Sequence, residues 1–354
     1  MKIWFLPALL LVLSLMSILT LKSVAPTLAT QQVVYFLLGG AIFYGVGQIK
    51  FENWLLLGPI AYVGVCLLLL VPLALGTTTR GIAGWIDIGT LFSIQPSQLA
   101  IPAVTLWIGQ LLTQYSLKKL NYLAIVLGLI GLPAVLILLE PDLGTTIVYL
   151  ASLGSLVFAS DIKWSYLVAL GSMAVMVAVL SWAFVLADYQ KDRITSFISP
   201  TADTDASYNA QQAMIAVGSG QILGRGLGQG VQSHLRFLPE RQTDFIFASL
   251  AEEWGLLGSS LVISLYAALS SFLLWLSWQT THPAAKWYCL AAAVMTAVQS
   301  GINIGMNMGL FPITGITLPL LSYGGSSILA LCGMYGIIWS IARERTTRVA
   351  RHFT

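Results

Sequence analysis

The sequence predicts an all-α polytopic membrane protein of about ten transmembrane helices, with one large extracytoplasmic loop between the seventh and eighth. Three observations predict it. Of the 354 residues 57% are hydrophobic and only 9% are charged, against about 25% charged in soluble domains. The mean hydropathy is +0.84 over the whole length, which excludes a soluble domain on a single anchor. Apolar runs of the roughly 20 residues needed to cross a bilayer recur along the whole chain. The same composition excludes disorder and a collagen-like fibre. At a net charge of +3 it also excludes a nucleic-acid binder with a phosphate-tracking patch.

The ten runs lie near 3–21, 32–49, 54–75, 97–115, 121–139, 143–160, 164–187, 246–276, 287–309 and 325–342. The first follows Lys2 as a signal peptide would, but it is longer than a usual h-region and reads as a retained helix. The period-2 alternation of an outer-membrane barrel is absent. With no repeat of 20–50 residues by eye and no inverted pair of broken helices, the chain reads as one domain. Cys66, Cys289 and Cys332 sit in apolar runs without metal spacing and read as small core hydrophobes.

Basic residues orient the bundle. With the N-terminus in the cytoplasm, ten spans return the C-terminus there. Lys2, Lys50, Lys118, Lys119, Lys163, Lys286, Arg343, Arg345, Arg348 and Arg351 then share that side. The short outer loops hold only Lys22 and Arg80. Carboxylates go the other way: Glu52, Asp161 and Glu344 alone are cytoplasmic. Chemistry is therefore expected on the extracytoplasmic face.

Four places there could carry it. The segment 188–245 is long for a structureless loop, and such loops are often functional. Its first half is acidic, and its glycines from Gly218 to Gly230 suit re-entrant backbone beside a cavity. A phosphate-cradling P-loop is a poor reading without the Gly-Lys-Ser/Thr ending. The segment closes on Phe237-Leu238-Pro239-Glu240-Arg241-Gln242-Thr243-Asp244. Asp244 there is either the N-cap of the eighth span or a functional carboxylate crowded by Glu240, Arg241, Glu252 and Glu253. On a helix Asp244, Ala248 and Glu252 would share a face. Carboxylates at membrane depth are costly and functional by default, and they suit general-base work or a hard cation such as Mg²⁺ or Mn²⁺. In the second place, Glu140-Pro141-Asp142-Leu143-Gly144-Thr145 is turn chemistry between two spans, or two acids facing the same cavity. In the third, Arg80 to Ser97, Trp85 is an interfacial aromatic or a surface for ring stacking. The fourth combines Asn303 and Asn307, which share a helix face, with irregular backbone through Leu318-Pro319 to Ser322-Tyr323-Gly324-Gly325-Ser326-Ser327.

These motifs, with Asn209 to Gly220 and Gly224-Arg225-Gly226-Leu227-Gly228, resemble the SEDS family (shape, elongation, division and sporulation) over nearly the whole chain. The stretch Ser233-His234-Leu235-Arg236-Phe237-Leu238-Pro239-Glu240-Arg241 is most similar to the elongation branch. The resemblance implies an inverting peptidoglycan glycosyltransferase that polymerises lipid II on the outer face of the bacterial cytoplasmic membrane. It also implies a class B penicillin-binding protein as partner. Asp244 matches the family's essential aspartate, which would take the proton of the acceptor's sugar hydroxyl directly or through a divalent cation. No nucleotide is needed, because the donor carries its own polyprenyl diphosphate leaving group. Charge alone nominates Arg80, Arg193, Arg225, Arg236 and Arg241 to neutralise that diphosphate. Trp85, Glu140, Asp142, Glu240, Glu252, Ser322, Tyr323 and Ser326 complete the candidate substrate-binding residues.

The chain departs from the family pattern at Gln98 and Ile101, where a Glu and a Lys are usual, at Gly84 for Arg, and at Gln242 for His. Loss of both members of an ion pair orphans neither charge. The rival readings are a lipid II flippase, disfavoured by an inner half nearly free of carboxylates, and a catalytically silent scaffold for the penicillin-binding protein.

Overall fold

The computed structural model describes residues 3–75, 84–88, 92–199, 205–235 and 237–352. Each of the ten expected spans is helical. The first two are α1 (Phe5–Val24) and α2 (Pro26–Gln48). The third is split at Leu57 into α3 (Phe51–Leu56) and α4 (Gly58–Leu75), and a short antiparallel hairpin, β1 (Ile86–Ile88) and β2 (Phe92–Ile94), follows it. Next come α5 (Ser97–Gln114), α6 (Leu120–Leu139), α7 (Leu143–Ala159) and α8 (Trp164–Leu180), the last extended by a π turn at Ser181–Val185. The final three are α12 (Ile246–Gln279), α13 (Pro283–Asn307) and α14 (Gly325–His352). Among the described residues seven helices are long and apolar enough to cross a membrane, while Gly58–Ala74 and Leu143–Ala159 are apolar but shorter. The α5 helix carries Ser97, Gln98, Thr105, Gln110, Thr113 and Gln114 along its 18 residues.

Segment 188–245, read from the sequence as one long loop, holds three further helices among its described residues: α9 (Asp188–Ile198), α10 (Asp205–Ser219) and α11 (Val231–His234). The reason is local. At the start of α9 the Gln190 side chain accepts the backbone N–H of Ala187, supplying a terminus that the apolar-run ruler does not detect. The α10 helix packs against α12 and buries Ala213 and Ala216 beside Leu238 and Phe245.

Lipid gives helices little hydrophobic reason to associate, so close packing and interhelical hydrogen bonds must hold them. Along the seam between α2 and α14, a Cβ at Gly47 would lie 2.3 Å from the Trp339 ring, and one at Gly39 would lie 2.8 Å from Cys332 Sγ. Buried hydroxyls tie other elements: Ser17 to Leu321 O at 2.7 Å, Ser152 to Ala291 O at 2.8 Å, and Tyr266 to Pro319 O at 2.5 Å. Each such bond contributes on the order of 1 kcal/mol. The α8 helix differs: it buries none of its residues.

The bundle has two chemically distinct ends. One gathers cation–aromatic pairs: Lys119 over Tyr122, Lys163 over Tyr166, Lys286 over Trp287, Arg343 over Trp339 and Arg345 over Trp275. The other end holds the hairpin, α9 to α11, and a cavity.

The α12 helix is broken at Gly255 (φ 66°, ψ −160°), a left-handed conformation that a residue with a Cβ rarely adopts. The amides freed by the break are not lost. Leu256 N–H and Leu257 N–H donate to Gln221 O and Ile222 O, and Arg225 N–H and Gly226 N–H donate to Glu252 O and Glu253 O. The glycine-rich loop thus lies alongside the broken helix as protein-satisfied irregular backbone.

Candidate functional site

The cavity has a volume of about 970 Å³ and draws its lining from α2, the hairpin, α5, α7, α9, α10, α13 and the loops before α12 and α14. Asp244 lines it, and the backbone beneath this residue is fixed from several sides. The carbonyl of Gln242 accepts Tyr323 N–H at 2.9 Å, and that of Thr243 accepts Ser322 Oγ at 2.6 Å. The carbonyl of Asp244 accepts Asn303 Nδ2 at 3.0 Å and Asn307 Nδ2 at 3.1 Å. Both asparagines are fully buried, and Asn307 Oδ1 also accepts Ala248 N–H at 3.1 Å, an amide of the first turn of α12.

That last bond removes the capping role considered for Asp244. The α12 helix begins at Ile246, its cap residue is Phe245, and no side chain caps it. An interhelical asparagine supplies the acceptor instead.

Gly315 (φ +75°) lies between Asp244 and Arg193. A Cβ placed there would be 3.5 Å from Arg193 Nη1 and 3.6 Å from Asp244 Oδ2. The cation and the carboxylate therefore both approach the same point over Gly315. Arg193 also donates to Thr314 O at 3.2 Å and lies over the Tyr189 ring, so its plane is oriented.

Asp142 lines the cavity too and caps α7. It accepts Thr145 N–H at 2.9 Å, Thr145 Oγ1 at 2.7 Å and Gln95 Nε2 at 3.0 Å. Burial still raises its pKa, against the pull of the Thr145 donors, Arg193 and Gln95. Glu140 stands beneath the lining, fully buried, and neither carboxyl oxygen has a hydrogen-bond partner. Burial first, and the neighbouring Asp142 second, push its pKa from the ordinary 4.5 up to about 8. Glu140 is therefore the neutral member of the pair near pH 7, because a desolvated carboxylate without donors is costly.

The other expected residues divide. Trp85, Glu240 and Tyr323 line the cavity. Glu240 folds back on its own turn, accepting Thr243 Oγ1 at 3.0 Å and Gln242 Nε2 at 3.3 Å. Ser322 and Ser326 act from behind the lining. Ser322 holds Thr243 O, and Ser326 Oγ accepts Gln95 N–H at 2.9 Å. Arg241 donates to Val24 O at 3.2 Å and Arg225 to Ser219 Oγ at 3.1 Å, both away from the lining. Arg80 and Arg236 lie outside the described residues. Of the five arginines nominated by charge, Arg193 is the one that the described structure brings to the cavity.

Glu252 corrects the helical-face expectation. It is fully buried and outside the lining. Its oxygens accept Gln232 N–H at 2.8 Å, Ser233 N–H at 3.0 Å and Ser233 Oγ at 2.6 Å. The face shared with Asp244 does not exist, because the helix starts only at Ile246. Its neighbour Glu253 accepts Ser23 Oγ, Gly228 N–H and His234 Nε2. Together the two carboxylates clamp the glycine-rich loop.

Residue patterns did not nominate Gln31 or Tyr35, and they placed Gln95 and Gly315 within candidate segments without naming either as a site residue. Two adjacent glutamines, Gln31 and Gln32, in an otherwise apolar span were the available signal for the first. Among the described residues no group of three or more His, Cys, Asp or Glu is placed to hold a metal ion.

Comparison with known proteins agrees with this architecture. The sequence profile of the cell cycle protein family that takes in FtsW, RodA and SpoVE matches residues 1–347. The peptidoglycan glycosyltransferase MrdB of Escherichia coli K12 is 36% identical over 299 residues, which is 83% of this chain and 79% of that protein. A probable peptidoglycan glycosyltransferase FtsW of Nitrosococcus halophilus is 33% identical over 333 residues, covering 91% and 84%. Among solved structures, one that describes the coordination of polymerization and crosslinking by a peptidoglycan synthase complex aligns with a TM-score of 0.84 at 28% identity, over 97% and 98% of the two chains. The rod shape determining protein RodA of Thermus thermophilus aligns with a TM-score of 0.73 at 25% identity, over 97% of each.

Proposed function

Because the chain belongs to the cell cycle protein family of FtsW, RodA and SpoVE, we propose that it is a peptidoglycan glycosyltransferase that polymerises lipid II into glycan strands for cell elongation. The observation that carries the chemistry is the approach of the Asp244 carboxylate and the Arg193 guanidinium to the same point over Gly315 in the cavity wall. In the reaction, a hydroxyl of the acceptor sugar attacks the anomeric carbon of the donor. The new carbon–oxygen bond forms as the bond to the polyprenyl diphosphate breaks on the opposite face, so the configuration inverts. The hydroxyl proton passes to Asp244, a general-base role that contributes roughly 10²–10⁴-fold. The diphosphate leaves with the electron pair, and Arg193 neutralises its developing charge.

The donor's own leaving group removes any need for a nucleotide. Among the described residues no group of three or more His, Cys, Asp or Glu is placed to hold a cation, and the steps above are written through side chains alone. A Mg²⁺ or Mn²⁺ ion arriving with the diphosphate would take Asp244 as its protein carboxylate and complete its shell with phosphate oxygens and water.

The end rich in cation–aromatic pairs is the cytoplasmic one by the positive-inside rule. The cavity then opens on the outer face of the bacterial cytoplasmic membrane, and both termini are cytoplasmic. A class B penicillin-binding protein is the proposed partner, supplying the crosslinking transpeptidase.

The test is polymerisation of purified lipid II by the wild type and by Asp244→Asn, each alone and with the cognate penicillin-binding protein. Polymer from the wild type and none from a folded Asp244→Asn supports the reading. Polymer from both moves the base elsewhere. No polymer from either, even with the partner, replaces the polymerase with a flippase or scaffold, which lipid II translocation in liposomes would separate.

A further inference from the structure

The cavity is lined by two chemistries. Its charged part comprises Asp142, Asp192, Arg193, Asp205, Glu240 and Asp244, with Asp87 on the hairpin as a further carboxylate of the lining. From Asp142 a neutral wall departs, traceable contact by contact. Gln95 donates to Asp142 at 3.0 Å, and Gln98 donates to Gln95 at 3.3 Å. Gln95 N–H donates to Ser326 at the start of α14, and a Cβ on the adjoining Gly325 would lie 2.8 Å from the Tyr35 ring. Tyr35 and Tyr323 have ring centroids 6.1 Å apart, and Tyr323 donates to Gln31 at 2.5 Å. The wall starts at buried Gln95 and ends at exposed Gln31. It contains amides and phenol rings and no ionised group. Asp87, the carboxylate of the hairpin, is engaged by Ser93 at 2.7 Å.

This pattern suits one kind of ligand. Aromatic faces pack on apolar ring surfaces, and amides both donate and accept toward hydroxyl and acetamido groups. A neutral chain leaves no buried charge unpaired on such a wall. The path also runs from the reacting pair's neighbour Asp142 outward, as a polymer leaving the site must. At about 970 Å³ the cavity sits at the upper end of the roughly 300–1,000 Å³ of small-molecule sites, with room for more than the two reacting sugars.

We infer that the neutral wall from Gln95 to Gln31 holds the sugar rings of the growing glycan strand, so that it determines how many units are added before release. This rests on the polymerase reading above.

The test compares wild type, Tyr323→Leu, Tyr35→Leu and Gln31→Leu, each as the full chain with its cognate penicillin-binding protein. The readouts are glycan length on gels, KM for lipid II, and melting temperature. Shortening of the glycans by about two- to tenfold is expected in each, the ratio that loss of one neutral contact produces, with KM for lipid II within about twofold of the wild type in Tyr35→Leu and Gln31→Leu. Tyr323→Phe keeps the ring and removes the bond to Gln31. It should give lengths between those of the wild type and Tyr323→Leu, which a merely structural role would not produce at an unchanged melting temperature. Unchanged lengths with a raised KM would overturn the inference and assign the wall to the incoming monomer. Unchanged lengths and KM in folded variants would also overturn it, leaving the wall without a ligand. A wild type that makes no polymer would instead sink the underlying reading, and this inference with it.

Discussion

Asp244 and Glu252 stand eight residues apart, at either end of one stretch of chain, and the fold gives them opposite employment. Around Asp244 the protein spends its hydrogen bonds on the backbone: Tyr323, Ser322, Asn303 and Asn307 hold three successive carbonyls, and the carboxylate is turned to the cavity. Around Glu252 the bonds go to the carboxylate itself, which is sealed from the cavity by Gln232 and Ser233. The first carboxylate is presented to the cavity on a fixed backbone, whereas the second, its oxygens bonded to Gln232 and Ser233, holds α11 in place. The difference teaches that the anchoring of the backbone, more than the presence of an acid, separates a carboxylate presented to a cavity from one that clamps a neighbouring segment.

The sharpest way to break this comparison is to exchange the expected phenotypes. Asp244→Asn should cost about 10²–10⁴ in lipid II polymerisation rate and leave the melting temperature unchanged, because its amide keeps every backbone contact. Glu252→Ala should do the reverse. It orphans Gln232 N–H and Ser233 N–H, each worth about 1–3 kcal/mol when buried and unpaired, so thermal unfolding in detergent should show a loss of about 3 kcal/mol. Arg193→Gln should lower the rate by about 10²-fold, the usual cost of one charge-stabilising donor, with stability retained. Asn307→Ala falls between the two classes. It removes bonds to Asp244 O and Ala248 N–H, and both unfolding and turnover should register a loss of about 1–3 kcal/mol.

A separate prediction concerns the pH dependence that Glu140 confers. Its folded pKa of about 8 lies above the ordinary 4.5, so the folded state holds a proton that the unfolded chain has lost between those two values. Stability should therefore be full below pH 4.5 and decline as the pH rises towards 8. Glu140→Gln should flatten that slope in melting curves taken across the window. An unchanged slope would show that Glu140 is ionised when folded.

Much of the architecture was legible because lipid imposes a crude ruler: apolar runs of span length became helices at all ten positions. Asp142, Glu240, Asp244 and Tyr323 were legible as polar groups at the ends of those runs. What escaped the reading depended on a single torsion or a distant partner. Helical spacing placed Glu252 beside Asp244, but the helix starts at Ile246 and the donors for Glu252 come from α11, about twenty residues earlier. Gly255 reads as an ordinary helix residue, since nothing in Trp254-Gly255-Leu256 announces a φ of 66°. Gln31 and Tyr35 look like interfacial residues near a helix start, and only the packing of α2 on α14 brings them to the cavity wall.

The break at Gly255 has a consequence for cooperativity. The amides of Arg225, Gly226, Leu256 and Leu257 are bonded reciprocally across the junction, so separation of the loop from the broken helix releases all four at once. In native-state hydrogen exchange they should behave as one unit with a common opening free energy. Deuterium uptake on the glycine-rich loop would then report the integrity of a transmembrane helix to which it is not adjacent in sequence.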